Sequence, residues 1–224
     1  MKLLAVIPAL NAERTIGDVV RKTREQIHDV VVIDDGCSDR TADVSRAEGA
    51  TVLRHEVNRG KGASLKSGFA YGREHGYDAV ITLDADGQHL PSEIPKIIKA
   101  WQESGADLVI GGRAHLFDHM LPRRRMANRF SAWAIAKAAG TRVSDSQSGF
   151  RLYTARLLRE VKLRSDGFDM ESEVIIRAGV RKMRIVVTPV DLGFIDGLST
   201  SHYRPFGDSL RIAWTAIRAR FLWR

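Results

Sequence analysis

The chain has 224 residues, of which 44% are hydrophobic, enough for one large domain or two small ones with a buried core. Its formal net charge of +8 indicates polyanionic partners, namely nucleic acid, an anionic membrane surface or phosphorylated substrates, without choosing among them. The single Cys37 excludes an intrachain disulfide framework, and no stretch reaches the roughly 18 consecutive apolar residues that a transmembrane helix needs.

The first half of the chain alternates predicted strands with predicted helices. The apolar run 3–7 predicts a buried strand, and because Pro8 ends it so early, the run is too short for a signal peptide. Strands separated by crossover helices form a largely parallel, doubly wound sheet, which places the protein in the α/β class. Further strands are predicted at 30–33, 51–55, 79–83 and 108–110, and helices at 13–26, 40–48, from the glycine-rich segment 58–62 to residue 71, and from Pro91.

The second half has a less regular pattern. It predicts helices at 130–139, from about residue 168 and at 210–223, with a late strand at 184–187. The acidic residues of 168–173 face either a binding crevice or solvent. In 210–223, apolar residues recur at helical spacing among arginines, which predicts an amphipathic helix that either packs on the core or lies on a membrane surface.

Two aspartates, Asp84 and Asp86, follow the fourth predicted strand, and Gly87 comes next. Because side chains alternate along a strand, we expect both carboxylates on the same side of the pleat. Such a pair suits Mg²⁺ or Mn²⁺, which bind one or two carboxylates together with water and substrate phosphates, and Gln88 could add a third oxygen. The alternative is a solvated turn, since Asp and Gly are common turn residues.

Polar segments follow four of the predicted strands, at 8–13, 34–39, 84–86 and 111–113. In parallel sheets, ligands bind beyond the carboxyl ends of the strands, so these four loops are expected to share one crevice. No Gly-x-Gly-x-x-Gly fingerprint follows the first strand and no Walker loop is present, which disfavours a dinucleotide-dependent oxidoreductase.

Five segments together resemble the family 2 glycosyltransferases of GT-A fold. They are Asn-Ala-Glu at 11–13, Asp-Asp-Gly-Cys-Ser-Asp at 34–39, Asn-Arg-Gly-Lys-Gly at 58–62, Leu-Asp-Ala-Asp-Gly-Gln-His at 83–89 and Asp-Ser-Gln-Ser-Gly-Phe-Arg at 145–151. The likeness spans roughly residues 3–205 and is strongest to the dolichyl- or polyprenyl-phosphate mannose synthase branch. It implies a GT-A catalytic domain at 1–206, followed by the C-terminal helix at 207–224.

The resemblance also implies a nucleotide-diphospho-sugar donor, an inverting transfer and a role for each matching residue. Asp84, Asp86 and Gln88 would hold Mg²⁺ or Mn²⁺ on the donor diphosphate, and Asp86 would be catalytic. The donor would be bound by residues from four loops, namely Pro8, Ala9, Asn11, Glu13, Asp34, Asp35, Lys61 and Asp84.

The acceptor is suggested by departures from other family members. Processive members carry a Gln-x-x-Arg-Trp motif that this chain lacks. It has arginines instead, whose forked guanidinium groups match phosphate oxygens, although a solvated basic face is the alternative for each. His202 stands where mannose synthases commonly have Lys, which leaves that phosphate contact open. The expected acceptor-phosphate contacts are Arg113, Arg124, Arg125, Ser148, His202 and Arg204.

The predicted function is transfer of mannose or another hexose from GDP or UDP to a polyprenyl or dolichyl phosphate. Such an acceptor is already anionic and needs no strong general base. If the acceptor were a sugar hydroxyl, a carboxylate such as Asp145 would have to take its proton, and Asp145 could equally be structural, holding Arg151 or a backbone amide. Asp145 and Arg113 are both candidate catalytic residues.

Three other functions are weaker alternatives: a sugar-nucleotide nucleotidyltransferase, a phosphatase with an aspartyl nucleophile, and a nucleic-acid-binding module, for which no zinc-finger or RNA-binding signature is present. We therefore expect no nucleic-acid partner. The basic residues and the absence of a spanning segment predict a cytoplasmic protein held peripherally at the inner face of the cell membrane.

Overall fold

The computed structural model describes residues 1–115, 122–193 and 218–222. Seven strands run through it: β1 (Leu3–Ala9), β2 (Asp29–Asp34), β3 (Thr51–Arg54), β4 (Ala79–Thr82), β5 (Leu108–Gly112), β6 (Arg151–Thr154) and β7 (Ile185–Pro189). The α-helices are α1 (Ile16–Arg24), α2 (Thr41–Ala47), α3 (Lys61–Glu74), α4 (Ile94–Ser104), α5 (Pro122–Ala139), α6 (Ala155–Glu160) and α7 (Met170–Val180). A 3₁₀ turn (Pro91–Glu93) precedes α4, and a π-helical turn covers Arg218–Leu222.

The seven strands form one sheet in the order β3-β2-β1-β4-β6-β5-β7. β6 runs antiparallel to its neighbours β4 and β5, and every other pair is parallel. The prediction of an α/β, mostly parallel sheet flanked by helices is therefore confirmed. The strand β6 was not predicted, because a four-residue strand that begins with Arg151 has too little periodicity to be recognised.

Two hydrophobic clusters cover the two faces of the sheet. Along β1, Leu4 and Val6 point into one cluster while Ala5 and Ile7 point into the other. Helices α1 and α4 contribute to the second cluster, and α3, α5, α6 and α7 to the first. Burial on both sides explains why the central strands are continuous apolar runs rather than alternating ones.

Several element boundaries differ from the predictions. Helix α1 begins at Ile16 rather than at 13, because Thr15 and Ile16 donate to the Ala12 carbonyl in a preceding turn. Helix α5 begins at Pro122, eight residues before the apolar segment that predicted it. Most of the predicted C-terminal helix lies outside the described residues. Within the described residues, no helix is both long and apolar enough to cross a bilayer.

Candidate active site

The carboxyl ends of β1, β2, β4 and β5 lie at the same edge of the sheet, as the sequence predicted. Contacts between the loops join them there: the Asp35 N–H donates to the Ala9 carbonyl, and the Thr15 hydroxyl donates to the Ala85 carbonyl at 2.7 Å. The Thr82 hydroxyl at the end of β4 donates to the Gly149 carbonyl at 2.7 Å. These bonds connect the aspartate-rich turn after β4 to the loops before α1 and β6.

Asp84 and Asp86 are positioned by a turn and not by the pleat of a strand. β4 ends at Thr82, so the expected reason for their convergence is wrong. The Asp84 N–H donates to His89 Nδ1 at 3.1 Å, the Gln88 N–H donates to Asp86 Oδ1 at 2.9 Å, and Gly87 allows the turn with φ +76°. The turn still brings the two carboxylates into one neighbourhood, where burial and then the charge of Asp84 raise the pKa of Asp86.

Lys61, at the start of α3, lies between two carboxylates. Its Nζ is 2.6 Å from Asp84 Oδ1 and 3.2 Å from Glu171 Oε1, where Glu171 belongs to α7. Burial opposes both charges, but the ion pair outweighs it: the pKa of Asp84 falls to about 2 and the pKa of Lys61 is raised. Lys61 was predicted to bind the donor, and its partner in this structure is the first aspartate of the pair.

Asp86 has a different electrostatic environment. Burial and then the neighbouring Asp84 raise its pKa, and the only side-chain hydrogen bond it makes among the described residues comes from the Gln88 N–H. Burial also lowers the pKa of His89 to about 4, so its ring is neutral at pH 7 and accepts the Asp84 N–H. Asp86 is therefore the carboxylate of this turn whose charge the neighbouring side chains compensate least.

The residues of this turn fit a hard divalent cation that also binds substrate. Among the described residues, no group of three or more His, Cys, Asp and Glu side chains is placed to hold a metal ion. Mg²⁺ and Mn²⁺ do not require such a cage, because one or two carboxylates with phosphate oxygens and water suffice. Asp84 and Asp86 supply that incomplete set of oxygen ligands, with Gln88 in the same turn, and burial followed by the charge of Asp84 raises the pKa of Asp86.

Asp145 forms an ion pair and hydrogen bonds with Arg113. Its Oδ2 accepts the Arg113 N–H at 3.0 Å and Arg113 Nε at 2.9 Å, and its Oδ1 accepts the Gln147 N–H at 3.0 Å. The side chain is 2% exposed, and although burial alone would raise its pKa, Arg113 and these amides hold that pKa below its usual value. The hypothesis that Asp145 holds a backbone amide is confirmed, but it does not hold Arg151.

Arg151 is fully buried and is bound by main-chain carbonyls instead. Its guanidinium donates to the carbonyls of Ser148 at 2.6 Å, Glu171 at 2.7 Å and Ser146 at 2.9 Å. It thus ties the 145–150 loop to the start of α7. Ser148 has no exposed surface and its Oγ accepts the Phe150 N–H at 3.3 Å, so a contact with an acceptor phosphate stays a prediction that requires this loop to open.

The residues predicted to bind the nucleoside form an interlinked polar cluster. Asn11 Oδ1 accepts the Ser38 N–H at 2.9 Å, and Glu13 Oε2 accepts the Arg40 N–H at 3.1 Å. These bonds fix the loop after β1 against the loop after β2, next to Pro8 and Ala9 at the end of β1. Their role in binding the donor stays a prediction.

Asp34 and Asp35 are both buried and accept internal hydrogen bonds. Asp34 Oδ1 accepts the Cys37 N–H at 2.7 Å. Asp35 Oδ2 accepts the Gly60 N–H at 2.8 Å, and its Oδ1 lies 2.6 Å from His55 Nδ1. Asp34 Oδ2 has no hydrogen-bond partner among the described residues, and Arg54 Nε lies 3.8 Å from it as an ion-pair partner.

Some predicted acceptor contacts cannot be placed. His202 and Arg204 lie outside the described residues, and so do the side chains of Arg124 and Arg125, although their backbone belongs to α5.

The sequence analysis did not identify the role of Glu171. It left the acidic residues of 168–173 facing either the crevice or solvent. In the structure, Glu171 faces Lys61, and Glu173 pairs with Arg177 in the interior. Nothing in the local pattern distinguishes the two.

Comparisons with known proteins agree with this geometry. The family model described as Glycosyl transferase family 2 matches residues 4–165. The chain is 29% identical to an undecaprenyl-phosphate mannosyltransferase of Micrococcus luteus, over 98% of this chain and 99% of that protein. It is 28% identical to a UDP-N-acetylglucosamine–dolichyl-phosphate N-acetylglucosaminyltransferase of Methanococcus voltae, over 83% of each chain.

A solved structure with the same fold is glucosyl-3-phosphoglycerate synthase from Mycobacterium tuberculosis in complex with Mg²⁺ and uridine diphosphate. The TM-score is 0.73 at 21% identity, over 98% of this chain and 79% of that one. At this identity the likeness establishes the GT-A-type fold and nothing further about the reaction.

Proposed function

We propose that this chain, which belongs to glycosyl transferase family 2, transfers a hexose such as mannose from a GDP- or UDP-sugar to a polyprenyl or dolichyl phosphate, with inversion. Membership of the family makes it a glycosyltransferase, and the donor and acceptor are our proposal. Its relatives from Micrococcus luteus and Methanococcus voltae, whose names specify an undecaprenyl phosphate and a dolichyl phosphate, support the acceptor class.

The observation that carries the acceptor proposal is the state of Asp145. A hydroxyl acceptor needs a general base with a pKa near the working pH and a free oxygen close to the hydroxyl. Asp145 is buried, its carboxylate accepts Arg113 and two backbone N–H groups, and its pKa lies below the usual value. A phosphate monoester is itself the nucleophile at neutral pH, so the absence of a poised base at this position favours it.

The donor diphosphate is proposed to bind at the turn after β4. Asp86, Asp84 and Gln88 would hold a divalent cation there, as Mg²⁺ or Mn²⁺, and the cation would offset the charge that develops on the leaving nucleoside diphosphate. Arg113 pairs with Asp145, and its side chain stays 17% exposed, so it would orient an anionic acceptor through the accessible part of its guanidinium group. The proposed nucleoside contacts are those of the loops after β1 and β2.

We further propose that the protein works at a membrane surface, at the inner face of the cell membrane. A polyprenyl phosphate has its head group at that surface, and helix α5 is rich in arginine near its start. On the same helix, Met126 is 70% exposed and Trp133, seven residues later, is 58% exposed, with Lys137 Nζ 5.3 Å from the Trp133 ring centroid. Exposed apolar and aromatic side chains beside cations are typical of interfacial helices.

The test is a donor screen followed by an acceptor comparison. UDP- and GDP-sugars are first scored by the rise in melting temperature that they cause with Mn²⁺, because a ligand of the folded state stabilises it. The best donor is then supplied with a polyprenyl phosphate, the matching polyprenol and 3-phosphoglycerate. Of these three acceptors, we expect only the polyprenyl phosphate to give a glycosylated product. The glycosyl linkage of that product is determined by NMR.

Each other result contradicts a stated part of the proposal. Transfer to polyprenol or to the 3-phosphoglycerate hydroxyl in preference to the phosphate would overturn the acceptor class and make a hydroxyl-acceptor enzyme the better interpretation. Formation of a sugar nucleotide from a sugar phosphate and a nucleoside triphosphate would indicate a nucleotidyltransferase. If the protein ignores anionic liposomes at low salt, the membrane part is wrong while the transferase part remains.

A further inference from the structure

The partly buried group formed by Lys61, Asp84 and Glu171 contains one more carboxylate than is needed to balance the lysine. Lys61 Nζ lies 2.6 Å from Asp84 and 3.2 Å from Glu171, and the Lys61, Asp84 and Glu171 side chains are 16%, 28% and 7% exposed. One carboxylate is enough to neutralise a buried ammonium group, and burying a second carboxylate carries a desolvation cost. A second partner allows the lysine to keep a counter-charge when the first carboxylate is released.

The space around the ion pair is closely filled. A Cβ atom at Gly149 would lie 2.8 Å from Lys61 Nζ and 2.9 Å from both carboxylate oxygens of Asp84. A side chain at position 149 would therefore push the ends of Lys61 and Asp84 out of their present positions. The backbone at the start of the Lys61 helix is fixed by the Ala63 N–H, which donates to the Asp166 carbonyl, so the ammonium group can move only by rotation of the lysine side chain.

An ammonium group at this position competes with a cation for Asp84. A divalent cation that binds both Asp84 and Asp86 would share Asp84 with Lys61 and be repelled by it at short range. Glu171 already contacts the ammonium from α7, so a small rotation of the lysine side chain transfers it from one carboxylate to the other without loss of its charge partner.

We propose that Lys61 is a counter-ion switch: it holds Asp84 while the donor is absent, and it moves to Glu171 when a divalent cation binds at Asp84 and Asp86 together with the donor diphosphate. Lys61 and Glu171 are then positioning residues for the cation. This inference rests on the proposed function, because it assumes a nucleoside diphosphate donor that binds with a metal. It predicts weak binding of the cation alone and stronger binding with the diphosphate present.

The experiment measures Mn²⁺ binding by the loss of the free-ion EPR signal, with and without UDP or GDP. Lys61→Met removes the competing charge, so we expect affinity for Mn²⁺ alone to rise at least about tenfold. A lysine with a merely structural role would give unchanged or weaker binding. The matched control is Lys66→Met on the same helix, which removes an exposed ion pair with Asp166 and should leave Mn²⁺ binding unchanged.

Glu171→Asp tests the second half of the switch without changing the net charge. The shorter side chain retracts the carboxylate from Lys61, which is then held by Asp84 alone, so we expect Mn²⁺ affinity in the presence of the diphosphate to fall about tenfold. If only the net charge near the site mattered, the Mn²⁺ affinity of this variant would not change. In the double variant Lys61→Met/Glu171→Asp, affinity should equal that of Lys61→Met, because Glu171 acts through Lys61.

The outcomes separate the two levels of inference. If the wild-type protein binds no Mn²⁺ even with UDP or GDP, the proposed metal-dependent function fails. If it binds Mn²⁺ but Lys61→Met weakens binding, or Glu171→Asp has no effect, or the two effects simply add, the switch is overturned and the proposed function stands. Should Lys61→Met fail to fold, the charge-conserving Glu171→Asp result decides alone.

Discussion

Two pairs of aspartates follow strands on either side of β1, and the structure uses them differently. Asp34 and Asp35, at the end of β2, accept backbone N–H groups of Cys37, Arg59 and Gly60. After β4, Asp84 pairs with Lys61, and burial followed by the charge of Asp84 raises the pKa of Asp86. The first pair holds loops in place, whereas the second contains a carboxylate whose charge is poorly compensated.

The difference follows from the kind of partner. A backbone N–H group that loses its acceptor is left unsatisfied in the interior, so bonds of this kind are costly to exchange. An ion pair between side chains can be replaced by another cation, and under-compensated carboxylates are common where cations bind. The β2 pair should therefore affect stability first, and the β4 pair should affect activity first.

The largest expected effect comes from Asp86→Asn. The amide oxygen can still accept the Gln88 N–H, but the charge for the cation is lost, so we expect transfer to fall by at least about 100-fold. Because burial and Asp84 raise the pKa of Asp86, its charge destabilises the folded state at pH 7, and the variant should melt at the same or a higher temperature. Near-normal transfer by the variant in the presence of EDTA would contradict the assignment.

Asp35→Ala should show the opposite pattern, with its main effect on stability rather than on transfer. It removes the acceptor of the Arg59 N–H group and the partner of the buried His55 Nδ1, and it leaves the Gly60 N–H with Asn58 Oδ1 alone, which should lower the free energy of unfolding by about 3 kcal/mol in a urea titration. Asp43→Ala, on the exposed side of α2, is the matched control and should change stability by less than about 0.5 kcal/mol. If calorimetry with the free nucleoside diphosphate showed weaker binding in a variant of unchanged stability, Asp35 would contact the nucleoside instead.

The sequence predicted the fold and the turn that carries the site, but not the contacts that set its charge. Alternating apolar runs and helices determine a parallel sheet, and Asp84-Ala85-Asp86 is recognisable because all its members are adjacent. The Lys61–Glu171 contact joins residues 110 positions apart, and Asp35–His55 joins two loops, so no local pattern reveals either. The short strand β6 is defined by its neighbours β4 and β5 rather than by its own sequence.

A smaller effect is expected from His89, which supports the β4 turn. Burial lowers its pKa from 6.5 to about 4, so the unfolded chain takes up a proton that the folded protein does not, and stability falls as the pH drops from about 6.5 towards 4. We expect a loss on the order of 2 kcal/mol over this range in urea titrations. Asp84 and Asp145, whose pKa values are lowered, lose their contributions only below about pH 4.

The variant His89→Asn distinguishes the contribution of this histidine to the pH dependence of stability from the contributions of other titrating groups. The asparagine oxygen can accept the Asp84 N–H in place of Nδ1 but does not titrate. The variant should be less stable at pH 7, because contact with the Phe150 ring is lost, yet its stability should vary less between pH 6.5 and 4.5 than that of the wild type. An identical pH profile for both proteins would show that another group is responsible.

The smallest effect concerns Cys37, which reports on whether the β2 turn is as closed as its hydrogen bonds indicate. The thiol is 3% exposed, its Sγ accepts the Asn11 N–H, and burial followed by the neighbouring Asp34 raises its pKa to about 11. Only the thiolate reacts with Ellman's reagent, so at pH 8 the native protein should release almost no chromophore, while the urea-unfolded protein should release one equivalent per chain. Asp35→Ala should speed the native reaction by loosening the loop, and Asp86→Asn should not. Rapid labelling of the native wild type would mean that the β2 turn opens readily. The aspartates of this turn would then exchange their partners as easily as the pair after β4.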